Sequence, residues 1–320
     1  MIKTRNDLSR LSPRLIFLGV GAAWRTPEMG CPCEICREMR ARGEKRTRTA
    51  LWFEGDAKIL IDCGPDIIDQ LESCRVDRPD LILITHEHGD HYLGLDELEV
   101  FRRRGRAEDF NPIPTYAHPL AWPAIEARFG YLFGKLIEKK EAWPGVPFPG
   151  PTGSEITITP FKTDHGPFAR GSQGYILRYP GKDGIRKLAY TSDFKDADPS
   201  SDLERPDVLV AQAHWFNEPK VNRPYHMSLQ RLLDYLERWR PREMVFLVHI
   251  SDGDLVEGED PERFLKKQPP LAPLWDPERN SPFPVPRCRE EWQQRAEGVF
   301  KARSLDIPVT VAWDGLVARV

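Results

Sequence analysis

Several things are scarce in this 320-residue chain, and each scarcity removes a class of protein. No apolar run approaches the ~18 residues of a membrane span. None follows Met1-Ile2-Lys3-Thr4-Arg5 as the core of an export signal, so a soluble, unexported, cytoplasmic protein is expected. Charge of one sign is lacking too: 46 basic against 49 acidic residues leave −3 net, and no overall field draws nucleic acid or membrane. Cysteine is sparse at six residues, too few for a disulfide scaffold. Three of the six nevertheless crowd into Cys31-Pro32-Cys33-Glu34-Ile35-Cys36, which points to metal chemistry in a reducing compartment. The length suits one catalytic domain, residues 1–320, carrying insertions.

What the chain does have is concentrated at Leu81-Ile82-Leu83-Ile84-Thr85-His86-Glu87-His88-Gly89-Asp90-His91. The apolar run reads as a buried strand. Three histidines and an aspartate then follow within six residues, supplying the N and O ligands that Zn, Mn or Fe prefer. His-x-His puts two imidazoles on one side of an extended segment, and Asp90-His91 can turn elsewhere once Gly89 relaxes the backbone. One cluster can therefore feed two metals. The spacing differs from the His-Glu-x-x-His of helical zinc proteases.

In chain order, Arg14 to Gly19 predicts a strand ending in Gly19-Val20-Gly21, a tight turn near the site rather than a dinucleotide loop. Leu51–Phe53 and Lys58–Ile61 predict a hairpin ending in Asp62, which can back a metal-bound histidine or cap the helix expected over Pro65–Ser73. Leu93–Arg103 predicts a helix, and Ile113–Ala117 a strand. Trp122 to Lys139 has helical character, while His118 reads as structural. Further strands are expected over Ile156–Phe161, Tyr175–Tyr179, Lys187–Tyr190, Val208–Ala211 and Met244–Val248, and a helix over Leu229–Trp239. The strand ends deliver Asp62, the His86 cluster, His165, Asp193 and His249, with His214 just beyond Ala211; several ligands reaching one sheet edge is how a rigid scaffold builds a metal site. Residues 254–305 form a proline-rich insertion or lid with a helix over Glu290–Lys301, and Val309–Trp313 with Leu316–Val320 a hairpin around Asp314-Gly315.

His86-x-His88-x-Asp90-His91, with His165, Asp193 and His249 each closing a strand, resembles the metallo-β-lactamase fold superfamily of dinuclear hydrolases. The resemblance implies an α/β fold, an αββα sandwich of two mixed sheets flanked by helices. It implies His86, His88 and His165 on one metal, Asp90, His91 and His249 on the other, and Asp193 bridging. Cys31, Cys33 and Cys36 together with Tyr225-His226-Met227-Ser228 resemble, more narrowly, the cyclic phosphodiesterases of the carbon–phosphorus lyase pathway, in which the cysteines bind structural zinc and the histidine matching His226 is catalytic. That branch completes its zinc with a histidine three residues past the last active-site ligand. Here Asp252 stands there, and a Cys₃Asp site is expected.

The resemblance implies two divalent ions, Zn or Mn with Fe as a further choice, and one structural Zn. Metal binding brings the pKa of water toward ~7 and yields a shared hydroxide for in-line attack on a phosphodiester. His226 is the expected general acid, Asp90 acts both as ligand and in the chemistry, and His214 lines the pocket. The partner expected is a small phosphate ester, cyclic esters included. A tRNA 3′-processing nuclease is the second reading, held open by arginines at 37–48 and 102–106. A pyrroloquinoline-quinone-type accessory protein and a thioester or lactone hydrolase are further alternatives; no membrane partner is expected, and a homodimer stays open.

Overall fold

Strands with apolar residues on both faces need cover on both sides. The middle strands here are of that kind: Leu81 and Leu83 enter one buried cluster while Ile82 and Ile84 enter another. The structure, a computed structural model, describes residues 13–197 and 201–320. β1 (Arg14–Gly19), β2 (Ala50–Glu54), β3 (Lys58–Ile61), β4 (Leu81–Leu83), β5 (Ile113–Ala117) and β6 (Ile137–Glu141) begin the first sheet. β7 (Phe148–Pro149), β8 (Thr157–Asp164), β9 (Gln173–Gly181), β10 (Gly184–Tyr190), β11 (Asp196–Ala197), β12 (Val208–Gln212) and β13 (Met244–Val248) make most of the second. β14 (Trp275–Asp276) and β15 (Ser281–Pro282) pair alone, β16 (Val309–Val311) joins the second sheet, and β17 (Leu316–Arg319) returns to the first. The orders are β17-β1-β2-β3-β4-β5-β6 and β11-β8-β9-β10-β12-β13-β16, with β7 beside β8.

Phe17, Phe53 and Ile61 of the first sheet meet Leu177, Val210 and Phe246 of the second in the buried layer between them. The helices are α1 (Glu34–Ala41), α2 (Ile67–Cys74), α3 (Gly89–Tyr92), α4 (Glu99–Arg103), α5 (Trp122–Phe129), α6 (Leu229–Trp239) and α7 (Arg289–Ala302). Ile67 and Leu71 of α2 and Trp122 and Ile125 of α5 cover the outside of the first sheet. Leu232 and Leu236 of α6, with Trp292 and Val299 of α7, cover the second. The fold is the αββα sandwich expected. Each fully buried Leu or Ile in these layers is worth about 1.5–3 kcal/mol, so the site edge rests on a rigid support.

Four local expectations are corrected. The stretch Trp122 to Lys139 is helical only to Phe129; past a 3-10 turn it becomes β6, whose Glu138, Lys139 and Lys140 look like a solvated helix face but protect an edge strand. Leu93 to Arg103 is not one helix but a 3-10 turn, Leu95–Leu98, followed by α4. Asp62 caps nothing, because α2 starts at Ile67 after Asp66. The C-terminal segments form no hairpin: β16 runs parallel to β13 while β17 pairs antiparallel with β1, so the Asp314-Gly315 turn crosses from one sheet to the other.

That crossing is tied down by a carboxylate. Asp314 Oδ1 accepts from the Val20 N–H at 3.1 Å, and Oδ2 accepts from the Thr47 N–H and Oγ1 at 2.8 Å each. Burial still dominates these bonds and pushes its pKa up to about 6. The folded chain thus holds this proton more tightly than the unfolded one. Its stabilising effect is full below about pH 4 and is lost as pH rises through about 6. Relative to Asp314→Asn, the parent should therefore lose on the order of 2 kcal/mol between about pH 4 and 7. Paired denaturation curves across that range check this; a constant difference would show that burial does not shift Asp314.

Candidate metal centre

The strands converge on one edge, and the chain leaves several of them through a left-handed residue. Asp62 after β3, Ser192 after β10 and His249 after β13 have φ of 64°, 57° and 56°. Side chains other than glycine take this conformation at a cost and are found there mostly at functional positions. Beyond β4, His86 and His88 stay in the extended lead-in, and Gly89 opens α3, which carries Asp90 and His91 around the corner. His165 follows β8 directly, and Asp193 follows β10 after Thr191-Ser192.

These residues come together as two adjoining groups. The donor atoms of His86, His88 and His165 lie within 4.8 Å of one another, as do those of Asp90, His91, Asp193 and His249. Asp193 Oδ2 stands between them, 3.0 Å from His249 Nε2, 3.5 Å from His91 Nε2 and 3.7 Å from His165 Nε2. The opposite ring nitrogens are anchored: His91 Nδ1 on Asp62 at 2.8 Å, His86 Nδ1 on Thr85 Oγ1 at 3.0 Å, and His165 Nδ1 on the Tyr225 carbonyl at 2.9 Å. The inward atoms are not. His86 Nε2, His91 Nε2, His249 Nε2 and Asp193 Oδ1 are buried without a hydrogen-bond partner. Buried orphans of this kind are rare, and four aimed into one N/O-lined space fit divalent metal ions.

Charge supports the same fit. Burial lowers the pKa of His86, His88 and His165, so the first group is neutral and ready to ligate. Burial also opposes charge on His249, but Asp193 and Asp90 outweigh it and lift His249 to about 9. His91 is raised in the same way by Asp90, Asp62 and Asp193. The second group thus holds two carboxylates that demand positive charge, from protons or from metal.

His214 and His226 form the wall beside this edge. Their rings stack at 4.0 Å and, with Trp24, Leu265 and Lys266, line a cavity of about 220 Å³. Gln212, fully buried, accepts from the Phe194 and Met227 N–H groups through Oε1 at 3.0 Å each. Its Nε2 must therefore donate, and it lies 2.9 Å from His226 Nδ1 and 3.0 Å from His249 Nδ1; the bond to His226 puts that ring's proton on Nε2. Burial and then His214 hold the His226 pKa well below the usual range, so the ring is neutral.

The donor atoms of Cys31, Cys33, Cys36 and Asp252 also lie within 4.8 Å of one another. Cys36 Sγ is 2.8 Å and Cys33 Sγ 3.8 Å from Asp252 Oδ2. Cys33 caps α1 and its pKa falls to about 6, chiefly through its bond with Cys36, which moves upward in turn. Three sulfurs and one carboxylate at this spacing fit tetrahedral zinc. Sequence reasoning missed Lys266, whose ammonium bonds Asp252 and Glu28 and offsets the surplus negative charge of such a set. It also missed Gln212 and Thr85, buried polar residues whose only signal was a polar position at a strand end. His118 accepts from the Leu120 N–H in a turn packed on Trp143, away from both clusters. Of the arginines, Arg37 and Arg42 pair with Glu34 and Glu38, Arg48 with Asp66, and Arg102 and Arg104 with Glu99 and Asp77.

Residues 57–250 match the profile of the beta-lactamase superfamily domain. A curated relative from Porphyromonas gingivalis, named octanoyltransferase, is 31% identical over 249 residues, 74% of this chain but 46% of that protein. The chain therefore spans under half of that relative's length. Among solved structures, a diphosphatase from the PhnP family superimposes with a TM-score of 0.67 at 21% identity, covering 96% of this chain and 98% of the other. Zn²⁺-bound PqqB from Methylobacterium extorquens does so with a TM-score of 0.63 at 18% identity, over 96% and 100% of the two chains. Both likenesses concern the fold.

Proposed function

The chain belongs to the beta-lactamase superfamily, and from that premise we propose that it is a dinuclear metal-dependent phosphodiesterase acting on a small phosphate ester. The observation that carries this reading is the set of four buried, unpartnered donor atoms among seven converging His and Asp side chains. His86, His88 and His165 would hold one ion and Asp90, His91 and His249 the other, with Asp193 between. Two divalent ions held there supply an acidified water and polarise phosphoryl oxygens near neutral pH. The structural zinc belongs with Cys31, Cys33, Cys36 and Asp252.

The chain's own part is orientation and charge. In-line attack on a diester drives negative charge onto the leaving oxygen. His226, with its proton on Nε2 and its neutral ring fixed by Gln212 and His214, serves as a hydrogen-bond donor to that oxygen rather than as an imidazolium acid. Leu265 and Lys266 of the proline-rich segment wall the same cavity, which gives that insertion a part in substrate choice. The pairing of so many arginines with neighbouring carboxylates counts against a nucleic-acid groove.

His226→Ala should retain all bound metal and lose about 10²–10³-fold in kcat, the usual cost of one oxyanion donor. The loss should be largest for an alkyl leaving group and small for p-nitrophenolate, which needs little help. Metal analysis together with turnover of cyclic and linear diesters, thioesters and lactones is the measurement. Turnover of a thioester or lactone alone would overturn the phosphodiesterase reading, and equal losses for both leaving groups would remove His226 from this role.

A further inference from the structure

Lys266 stands where two sites meet. Its ammonium donates to Asp252 Oδ2 and, at 2.8 Å, to Glu28 Oε2. Both of these residues also reach the cysteine cluster: Asp252 Oδ2 accepts from Cys36 Sγ at 2.8 Å, and the Glu28 N–H donates to the same sulfur at 3.3 Å. Cys36, Asp252, Lys266 and Glu28 therefore close a ring of bonds. It joins the loop after β1 to the turn after His249 and to the proline-rich insertion, three stretches far apart in sequence. The same three stretches, through Trp24, Asp252 and Leu265, wall the cavity of about 220 Å³ that His214 and His226 line. The turn is fastened to His214 as well, since the Ser251 N–H and Oγ both donate to the His214 carbonyl, at 3.0 and 2.8 Å.

Trp24 is 69% and Leu265 99% exposed, so packing does little to hold either at the cavity, and the ring of bonds beside them supplies the fastening. Glu28 and Asp252 are both taken up by Lys266, which leaves the apolar Trp24 and Leu265 as surfaces open to a ligand. An ion on Cys31, Cys33, Cys36 and Asp252 fixes two members of the ring, and the surplus negative charge of its thiolates and carboxylate holds the ammonium in place. A wall ordered in advance costs a ligand less to bind against. His226 donates to the leaving oxygen in the reading above, so the leaving group is the part of the substrate that enters this cavity. Resting on that reading, we propose that Lys266 is a positioning residue through which filling of the Cys₃Asp site favours a phosphate ester whose leaving group is apolar and large enough to reach Trp24 and Leu265. The ester favours zinc at the cysteines by the same factor, because coupling between two binding sites is reciprocal.

The test is calorimetric titration of phenylphosphonate and methylphosphonate, whose C–P bonds resist hydrolysis, into protein with manganese in the histidine site. Each titration is run before and after one equivalent of zinc, which the thiolates select; loss of titratable thiol confirms where the zinc has gone. Zinc should tighten phenylphosphonate about tenfold, within the usual range of coupling between sites, and methylphosphonate little. Saturating phenylphosphonate should tighten zinc by the same factor. Lys266→Met should take up zinc but lose the coupling, and Lys266→Arg, which keeps the charge and its donors, should restore it. If Lys266→Met fails to fold, Glu28→Gln, altered at a partly exposed side chain, decides in its place. Zinc that left phenylphosphonate unchanged, tightened both phosphonates equally, or still tightened phenylphosphonate in the variant would overturn this inference alone. Failure of either phosphonate to bind the manganese-loaded protein would instead remove the phosphodiesterase reading, and this inference with it.

Discussion

Under the proposed phosphodiesterase reading, Asp193→Asn is expected to abolish diester hydrolysis, lowering kcat/KM by about 10³-fold or more, and to reduce the bound metal in the histidine site. The argument is positional. Asp193 Oδ2 is within 3.7 Å of ring nitrogens on His249, His91 and His165, which come from both donor groups, while Oδ1 is buried and unpartnered. No other carboxylate among the described residues touches both groups. Asparagine keeps the volume and one oxygen but removes the negative charge that two cations in close proximity require. Metal activation contributes several kcal/mol to such a reaction, and each 1.36 kcal/mol is a factor of ten. Metal equivalents from elemental analysis, read beside kcat/KM, check the expectation. A variant that kept both ions and full turnover would remove Asp193 from the bridging position.

Why was so much of this edge legible in the sequence? Residues able to ligate a divalent metal are few in kind, chiefly His, Asp, Glu and Cys, and several of them stand where a strand gives way to a loop at this edge. His86 and His249 follow apolar runs, and His165 and Asp193 follow strands of mixed pattern, so the signal they share is their place at a strand end. The groups that hold these ligands in place escape such reasoning because their chemistry is generic. Thr85 is one threonine among many until its hydroxyl is found 3.0 Å from both Asp62 and His86. Gln212 fixes His226 from the last position of β12, where a lone polar residue looks like the ordinary end of a strand. Lys266 reaches Asp252 from a proline-rich stretch with no period to read.

Errors in the fold have the same origin. Asp-Gly between two β-rich runs marks a tight turn, and that local signal is honoured at Gly315, where φ is +87°. Whether the two runs then pair with each other is decided by competition for sheet edges. β16 finds β13 and β17 finds β1, both of which lie far away in sequence. In β6 the charges Glu138, Lys139 and Lys140 suit either a helix face or an exposed strand edge, and the open edge beside β5 decides.

A second large effect is expected at Asp62, where stability and metal binding can be separated. Its carboxylate is fully buried, accepts from the Thr85 N–H at 2.9 Å through Oδ1, and meets His91 Nδ1 at 2.8 Å through Oδ2. Asp62→Ala strands those donors in the interior and should cost about 3–5 kcal/mol of folding stability, as breaking a buried pair does. It should also weaken metal binding about 10–100-fold, since His91 loses the partner that orients it. Asp62→Asn divides the two consequences. The Thr85 N–H still needs an oxygen, so the amide nitrogen must occupy the Oδ2 place and face His91 Nδ1. That ring nitrogen then becomes an acceptor and the proton moves to Nε2, the atom needed for ligation. Asp62→Asn should therefore recover most of the stability lost in Asp62→Ala while keeping the loss of metal affinity. Denaturation of the metal-free proteins, set against metal titrations, separates the two, and an asparagine variant that bound metal like the parent would show that Asp62 does not set the His91 tautomer.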